Sequence, residues 1–195
     1  MSYVSIDIET LGLNNEYCDV IEFGAVIDNL SDPVDKLPRF HCYLTPPNDR
    51  TYYRGEPYAM AMHHVILSRI AAEQEPFKYY EPHDLGFYFA HWLEDNGYKR
   101  GCDDDPIKIV VGGKNFASFD WNFLRKIDNF ERWIKIHHRI MDPCMMYFDA
   151  KKDSLPPGLD ECLKRAGISK SVQHTAVEDA IDVIRCLRYK WNLEA

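Results

Sequence analysis

No apolar run in this 195-residue chain approaches the roughly 20 residues needed to span a bilayer, so no membrane segment is expected. The six cysteines (Cys18, Cys42, Cys102, Cys144, Cys162 and Cys186) show no Cys-x-x-Cys spacing, which argues against a zinc site and a disulfide scaffold. Reduced thiols, and with them a cytoplasmic location, are expected. The opening residues Met1-Ser2-Tyr3-Val4 lack the basic-then-apolar pattern of a secretion signal. There is no internal repeat, low-complexity tract or convincing linker, so one domain over residues 1–195 is expected, with no room for a polymerase. Bases are the scarcer charge. With 23 Lys and Arg against 31 Asp and Glu, the net charge is −8, which on its face disfavours a polyanionic partner.

The charge is unevenly spread. Between Lys108 and Met141 seven bases face three acids, for a local +4, and the rest of the chain carries −12. His137-His138-Arg139, within this basic stretch, is a candidate for phosphate contact. Single strands are held by a positive track with stacking surfaces. Phe116 is a candidate substrate contact, whereas Phe119, Trp121 and Tyr147 read as core, and His63 and His64 as surface residues.

Apolar patterning gives a coarse map. Tyr3–Glu9, Asp19–Asp28 and Arg39–Leu44 read as strands of an antiparallel meander. Helices are expected over Pro57–Glu73, with Met60, Val65, Leu67 and Ile70 inward, and over Asp84–Asn96. Ile107–Val111 reads as a strand, Ser118–Ile127 as a helix, Ile136–Met141 as a short strand and Pro143–Ala150 as a helix. Leu159–Ala166 closes on Gly167 as a helix with a C-terminal glycine. The last helix runs from Ala176 to about Trp191. Strands first, then strands alternating with helices, describe an α/β fold with a mixed sheet flanked by helices.

Four carboxylates and a histidine stand out from this map. Asp7 and Glu9 are two apart on the first strand, so they leave one face while Ile6 and Ile8 leave the other. Asp120 follows the turn Gly112-Gly113-Lys114-Asn115, at the carboxyl end of a strand where α/β sheets place ligands. Thr175 and Glu178 form a capping box, which puts His174 just before the last helix and Asp179 on its first turn. Glu178 is thereby explained as a cap. Two like charges about 4 Å apart repel by roughly 4 kcal/mol at an effective dielectric near 20. Four anions gathered in one pocket therefore call for divalent cations, and hard oxygen ligands select Mg²⁺ or Mn²⁺. That chemistry is that of a two-metal phosphodiesterase.

Taken together, Asp-x-Glu, Asn-x₄-Asp and His-x₄-Asp resemble the DEDDh branch of the 3′–5′ exonucleases, with its proofreading subunits, oligoribonuclease and ribonuclease T. The resemblance runs from Asp7 to about Trp191. It implies a ribonuclease H-like fold with a five-stranded sheet, two Mg²⁺ or Mn²⁺ ions on Asp7, Glu9, Asp120 and Asp179, and His174 as general base. It implies 5′-mononucleotides released from the 3′ ends of single-stranded or short DNA or RNA, with Thr10 and Leu13 touching the terminal nucleotide; Asn115 and Phe116 are added as substrate contacts on their position beside Asp120. Members of that family often read Asp-x-Glu-Thr-Thr-Gly-Leu, whereas here Leu11 stands in place of the second threonine, which bears on how the strand end is recognised. Related small enzymes are often dimers, and the aromatic-rich Phe77–Trp92 segment is the candidate for such an interface.

Two other classes compete. A non-catalytic adaptor or polymerase-accessory protein with a nuclease fold has no need of His174. A ribonuclease H-type endonuclease does not call for the His-x₄-Asp element of end-trimming enzymes. The choice between DNA and RNA rests on contacts to the 2′-hydroxyl, which come from loops.

Overall fold

Strand β1 (Tyr3–Thr10) pairs antiparallel with β2 (Val20–Asp28), whose nine residues are all buried. A strand enclosed on both edges and both faces needs apolar residues throughout, and Val-Ile-Glu-Phe-Gly-Ala-Val-Ile-Asp supplies them almost without break. β3 (Arg39–Leu44) continues the meander antiparallel to β2. The computed structural model describes residues 2–102, 104–169 and 175–193; His174 lies outside them.

Two helices follow, α1 (Pro57–Met62) and α2 (His64–Ala71). The single helix expected over 57–73 is broken at His63, whose backbone (φ −94°, ψ 20°) leaves the helical range. The break shifts the helical register, so Val65 is exposed and Ile66 takes the buried position beside Ile70. β4 (Tyr79–Tyr80) adds parallel to β3, and α3 (Leu85–Asp95) packs Leu85, Phe89 and Leu93 under the sheet.

The strand expected over 107–111 is two. β5 (Ile107–Ile109) leaves for a separate two-stranded sheet, while β6 (Val111–Gly112) joins β1 in parallel. The switch falls at Val110, whose carbonyl accepts from the Val4 N–H at 2.9 Å. α4 (Asp120–Leu124) is shorter than expected, and α5 (Phe130–Trp133) follows it. β7 (Ile134–Ile136) meets the strand expected at 136–141 only at Ile136 and pairs parallel with β5. Helices α6 (Pro143–Tyr147), α7 (Leu159–Arg165) and α8 (Ala176–Lys190) complete the chain. The main sheet has the order β4-β3-β2-β1-β6, mixed and five-stranded with helices on both faces. No described helix is long and apolar enough to cross a membrane.

The period of two on β1 sorts its residues as read from the sequence. Val4, Ile6 and Ile8 enter the core beneath α3, while Asp7 and Glu9 take the opposite face, across which α8 lies. Gly24 sits opposite Asp7 and is the reason α8 comes so close. A Cβ there would lie 2.4 Å from backbone atoms of Ala176 and Val177. Gly24→Ala therefore pushes the start of α8, and Asp179 with it, off the sheet. A loss of about 1–3 kcal/mol in denaturant unfolding is expected, the usual cost of overpacking, and unchanged stability would refute this contact as the spacer.

The far end of α8 is anchored differently. Arg188, almost fully buried, donates from Nη2 to Asp28 Oδ1 at 2.5 Å and from Nε to Oδ2 at 3.2 Å, and its Nη1 donates to the Asp32 carbonyl at 2.8 Å. The charge pair fixes the helix to the end of β2.

Candidate active site

Three side chains from the two ends of the chain converge on one spot. Carboxylate oxygens of Asp7, Glu9 and Asp179 lie within 4.8 Å of one another. Asp7 and Glu9 arrive on the strand face described above. Asp179 arrives on the first turn of α8, which Thr175 caps: its Oγ1 accepts from the Glu178 N–H at 3.4 Å, the role expected of Thr175 in the capping box. The helix N-terminus also favours nearby negative charge.

Asp120 stands outside this group of three but lines the same cleft, a cavity of about 520 Å³ whose wall includes Asp7, Glu9, Leu13, Lys114, Asn115, Phe119, Asp160 and Asp179. Burial raises its carboxyl pKa to about 7; hydrogen bonds from its own and the Ile8 backbone and the charge of Lys114 act against the rise, and Asp142 adds to it. Asp7 is pushed well above the ordinary carboxylate range by burial first, then by the charges of Asp120, Glu9, Asp179 and Glu22. The donor set is all hard oxygen and its charges oppose one another, which fits divalent cations of the Mg²⁺ or Mn²⁺ kind.

The pKa shifts have a direct consequence for stability. Asp7 and Asp120 hold a proton more tightly folded than unfolded, so their contribution is full below the ordinary value of 3.8 and is lost as pH rises, for Asp120 through about 7. In EDTA, Tm should fall between about pH 5 and pH 8, and saturating Mn²⁺ should raise it most at the alkaline end. A Tm that climbs with pH in EDTA would contradict the buried, mutually repelling carboxylates.

The expected substrate contacts are placed unequally. Leu13 is 79% exposed, on the cleft wall. Asn115 is exposed there too, in the left-handed region (φ 55°), its N–H held by Asp142 Oδ2 at 3.0 Å. Thr10 is buried outside the cleft wall, its hydroxyl donating to the Gly12 carbonyl at 2.8 Å. Phe116, read as a substrate contact, is a correction: it is 1% exposed and part of the core. The left-handed step at Asn115 turns the next side chain inward, and Phe119 reaches the cleft instead. Leu11 is also core, packed with Ile21, Tyr43, Ile66 and Ile70.

Several neighbours of the site escaped the sequence reading. His63, read as a surface residue, is buried with Nε2 3.6 Å from Glu9 Oε2. Glu22 is fully buried directly across from Glu9, and its Oε1 lies 2.6 Å from His41 Nε2. An acid between Ile21 and Phe23, inside an apolar run, was the available signal for Glu22. Asp142 caps α6 through Oδ1, which accepts from the Cys144 N–H at 2.8 Å, and holds Asn115 through Oδ2. Asp followed by Pro at a helix start was its signal.

A mixed five-stranded sheet flanked by helices, with acidic residues on one face of β1, defines an exonuclease I-like, ribonuclease H-like fold. Among solved structures, this chain is similar to E. coli exonuclease I in complex with a dT13 oligonucleotide (TM-score 0.63, 17% identity, covering 98% of this chain and 42% of that one). It is similar to the zinc-bound form of the E. coli exonuclease I complex with single-stranded DNA (TM-score 0.62, 18% identity, 98% and 41%). It is also similar to an exonuclease I structure bearing on processivity (TM-score 0.66, 17% identity, 99% and 41%). The chain thus spans less than half the length of these neighbours. No protein-family model matches the sequence, and no curated protein matches it.

Proposed function

We propose that this chain is a metal-dependent 3′–5′ exonuclease of the DEDDh type, a single domain that removes 5′-mononucleotides from the 3′ ends of single-stranded or short nucleic acid. The observation that carries the proposal is the meeting of Asp7, Glu9 and Asp179 within 4.8 Å at a cleft also lined by Asp120. The fold shared with exonuclease I, and the single-stranded DNA bound by those neighbours, supports it.

In this reading Asp7, Glu9, Asp120 and Asp179 would hold two Mg²⁺ or Mn²⁺ ions. When bound, such ions polarise the phosphodiester and favour ionisation of water at neutral pH. The chain itself supplies the rest. His174, carried over from the family pattern, precedes the Thr175 cap and takes the proton of the attacking water as general base. Leu13 and Asn115, both on the cleft wall, contact the terminal nucleotide, and Lys114 offers a positive charge to its phosphate. His63 and Asp142 act as positioning residues, the one against Glu9 and the other through the Asn115 backbone.

The test is incubation of matched 5′-labelled DNA and RNA oligomers with Mn²⁺. A descending ladder from the 3′ end, with mononucleotides released and silenced by EDTA, is expected. Uncut oligomers would favour an adaptor, and cleavage of circular single-stranded DNA would favour an endonuclease.

A further inference from the structure

We propose that the outer face of the β5–β7 sheet, with the turn that follows it, is a track for the phosphates of single-stranded nucleic acid entering the cleft. The inference rests on the nuclease reading for its direction, but its binding test is independent of cleavage.

Lys108 and Lys135 are direct partners in the parallel register, both exposed on the outer face, while Ile107, Ile109 and Ile134 beside them are buried. Like charges placed opposite each other on neighbouring strands destabilise a sheet. Among the described residues, neither Lys108 nor Lys135 has a carboxylate within 4 Å, and neither does Arg139. Among the described residues, Asp104, Asp105, Asp128 and Glu131 precede β5 or β7 in the chain.

Both chain segments then run toward the site. From Lys108 the chain passes through β6 to Lys114 and Asn115 on the cleft wall, about 20 Å of extended backbone. From Lys135 it passes exposed His137, His138 and Arg139 to Met141, which bridges Gly112, and to Asp142, which holds Asn115. The two histidine rings stack at 4.3 Å on this path, a flat surface of the kind on which bases stack. In a chain of net charge −8, a polyanion needs such a local basic lane to approach a pocket of carboxylates. Basic side chains that continue from the sheet to the edge of that pocket suit a strand threading into it better than an acidic protein partner, which would need only a patch.

The experiment measures anisotropy of fluorescein-labelled dT20 and dT4 on the whole chain in EDTA over a range of salt, for the wild type and for Lys108→Glu and Lys135→Glu separately. Each variant should bind dT20 at least about fivefold more weakly at low salt and bind dT4 as before. The salt slope for dT20 should fall by about 0.7 for each phosphate that is no longer neutralised. Each variant should also keep or raise Tm, since the reversal turns a repelling pair into an attracting one; a residue needed only for folding would do the opposite. Unchanged dT20 binding, or equal weakening for dT4 and dT20, overturns the track and leaves the nuclease reading intact. Selective weakening of dT20 binding in a chain that yields no ladder with Mn²⁺ supports the track and overturns the nuclease reading.

Discussion

Asp7→Asn should reduce the release of mononucleotides by at least about 10³-fold, the rate equivalent of losing several kcal/mol of charge stabilisation at the phosphate. Asp7 is the residue on which the other three proposed cation ligands act: Asp120, Glu9 and Asp179 all raise its pKa, as does Glu22. Removing its charge therefore has two effects of opposite sign. Cation binding is lost, while in EDTA the metal-free fold becomes more stable at neutral pH because one member of a repelling set is gone. Parallel assays of the product ladder and of Tm in EDTA separate this from simple misfolding, which would lower both. Full activity in the purified variant would remove Asp7 from the mechanism.

The largest effect on stability is expected far from the cleft, at Arg188. Arg188→Ala leaves the fully buried Asp28 carboxylate without its bidentate partner and the Asp32 carbonyl without its donor. Breaking one side of a buried pair costs about 3–5 kcal/mol, a large part of the stability of a typical domain. Replacing both partners at once, Asp28→Leu with Arg188→Met, should recover most of the loss, because the penalty comes from the stranded charge. Denaturant unfolding of the single and double variants decides the matter; a single variant as stable as the wild type would show that the pair does not hold α8 to β2.

Local patterns in the sequence carried the parts of the fold that depend on local geometry. The spacing of Asp7 and Glu9 places both on one strand face whatever the rest of the chain does. The Thr175 cap starts α8 where the side chain accepts from the Glu178 N–H, and so fixes Asp179 on its first turn. The meander of the first three strands was legible for the same reason. What escaped depended on contacts distant in sequence. Phe116 is as apolar as a stacking residue, and only the left-handed step at Asn115, pinned from Asp142, sends it into the core. His63 becomes a neighbour of Glu9 because the helix breaks at that residue. Ile107–Val111 is one apolar run in sequence and two strands in space, since Val4 claims the Val110 carbonyl for the main sheet. The expected base, His174, stands next to the Thr175 cap and rests on the family pattern alone.

The proposed chemistry depends on Asp7, Glu9, Asp120 and Asp179 forming a cation site, and calorimetric titration of Mn²⁺ into the metal-free chain reads that property without any substrate. Binding of about two ions in the wild type is expected, abolished by Asp7→Asn and weakened by Asp179→Asn. Wild-type affinity in both variants, or no binding to the wild-type chain, would contradict it.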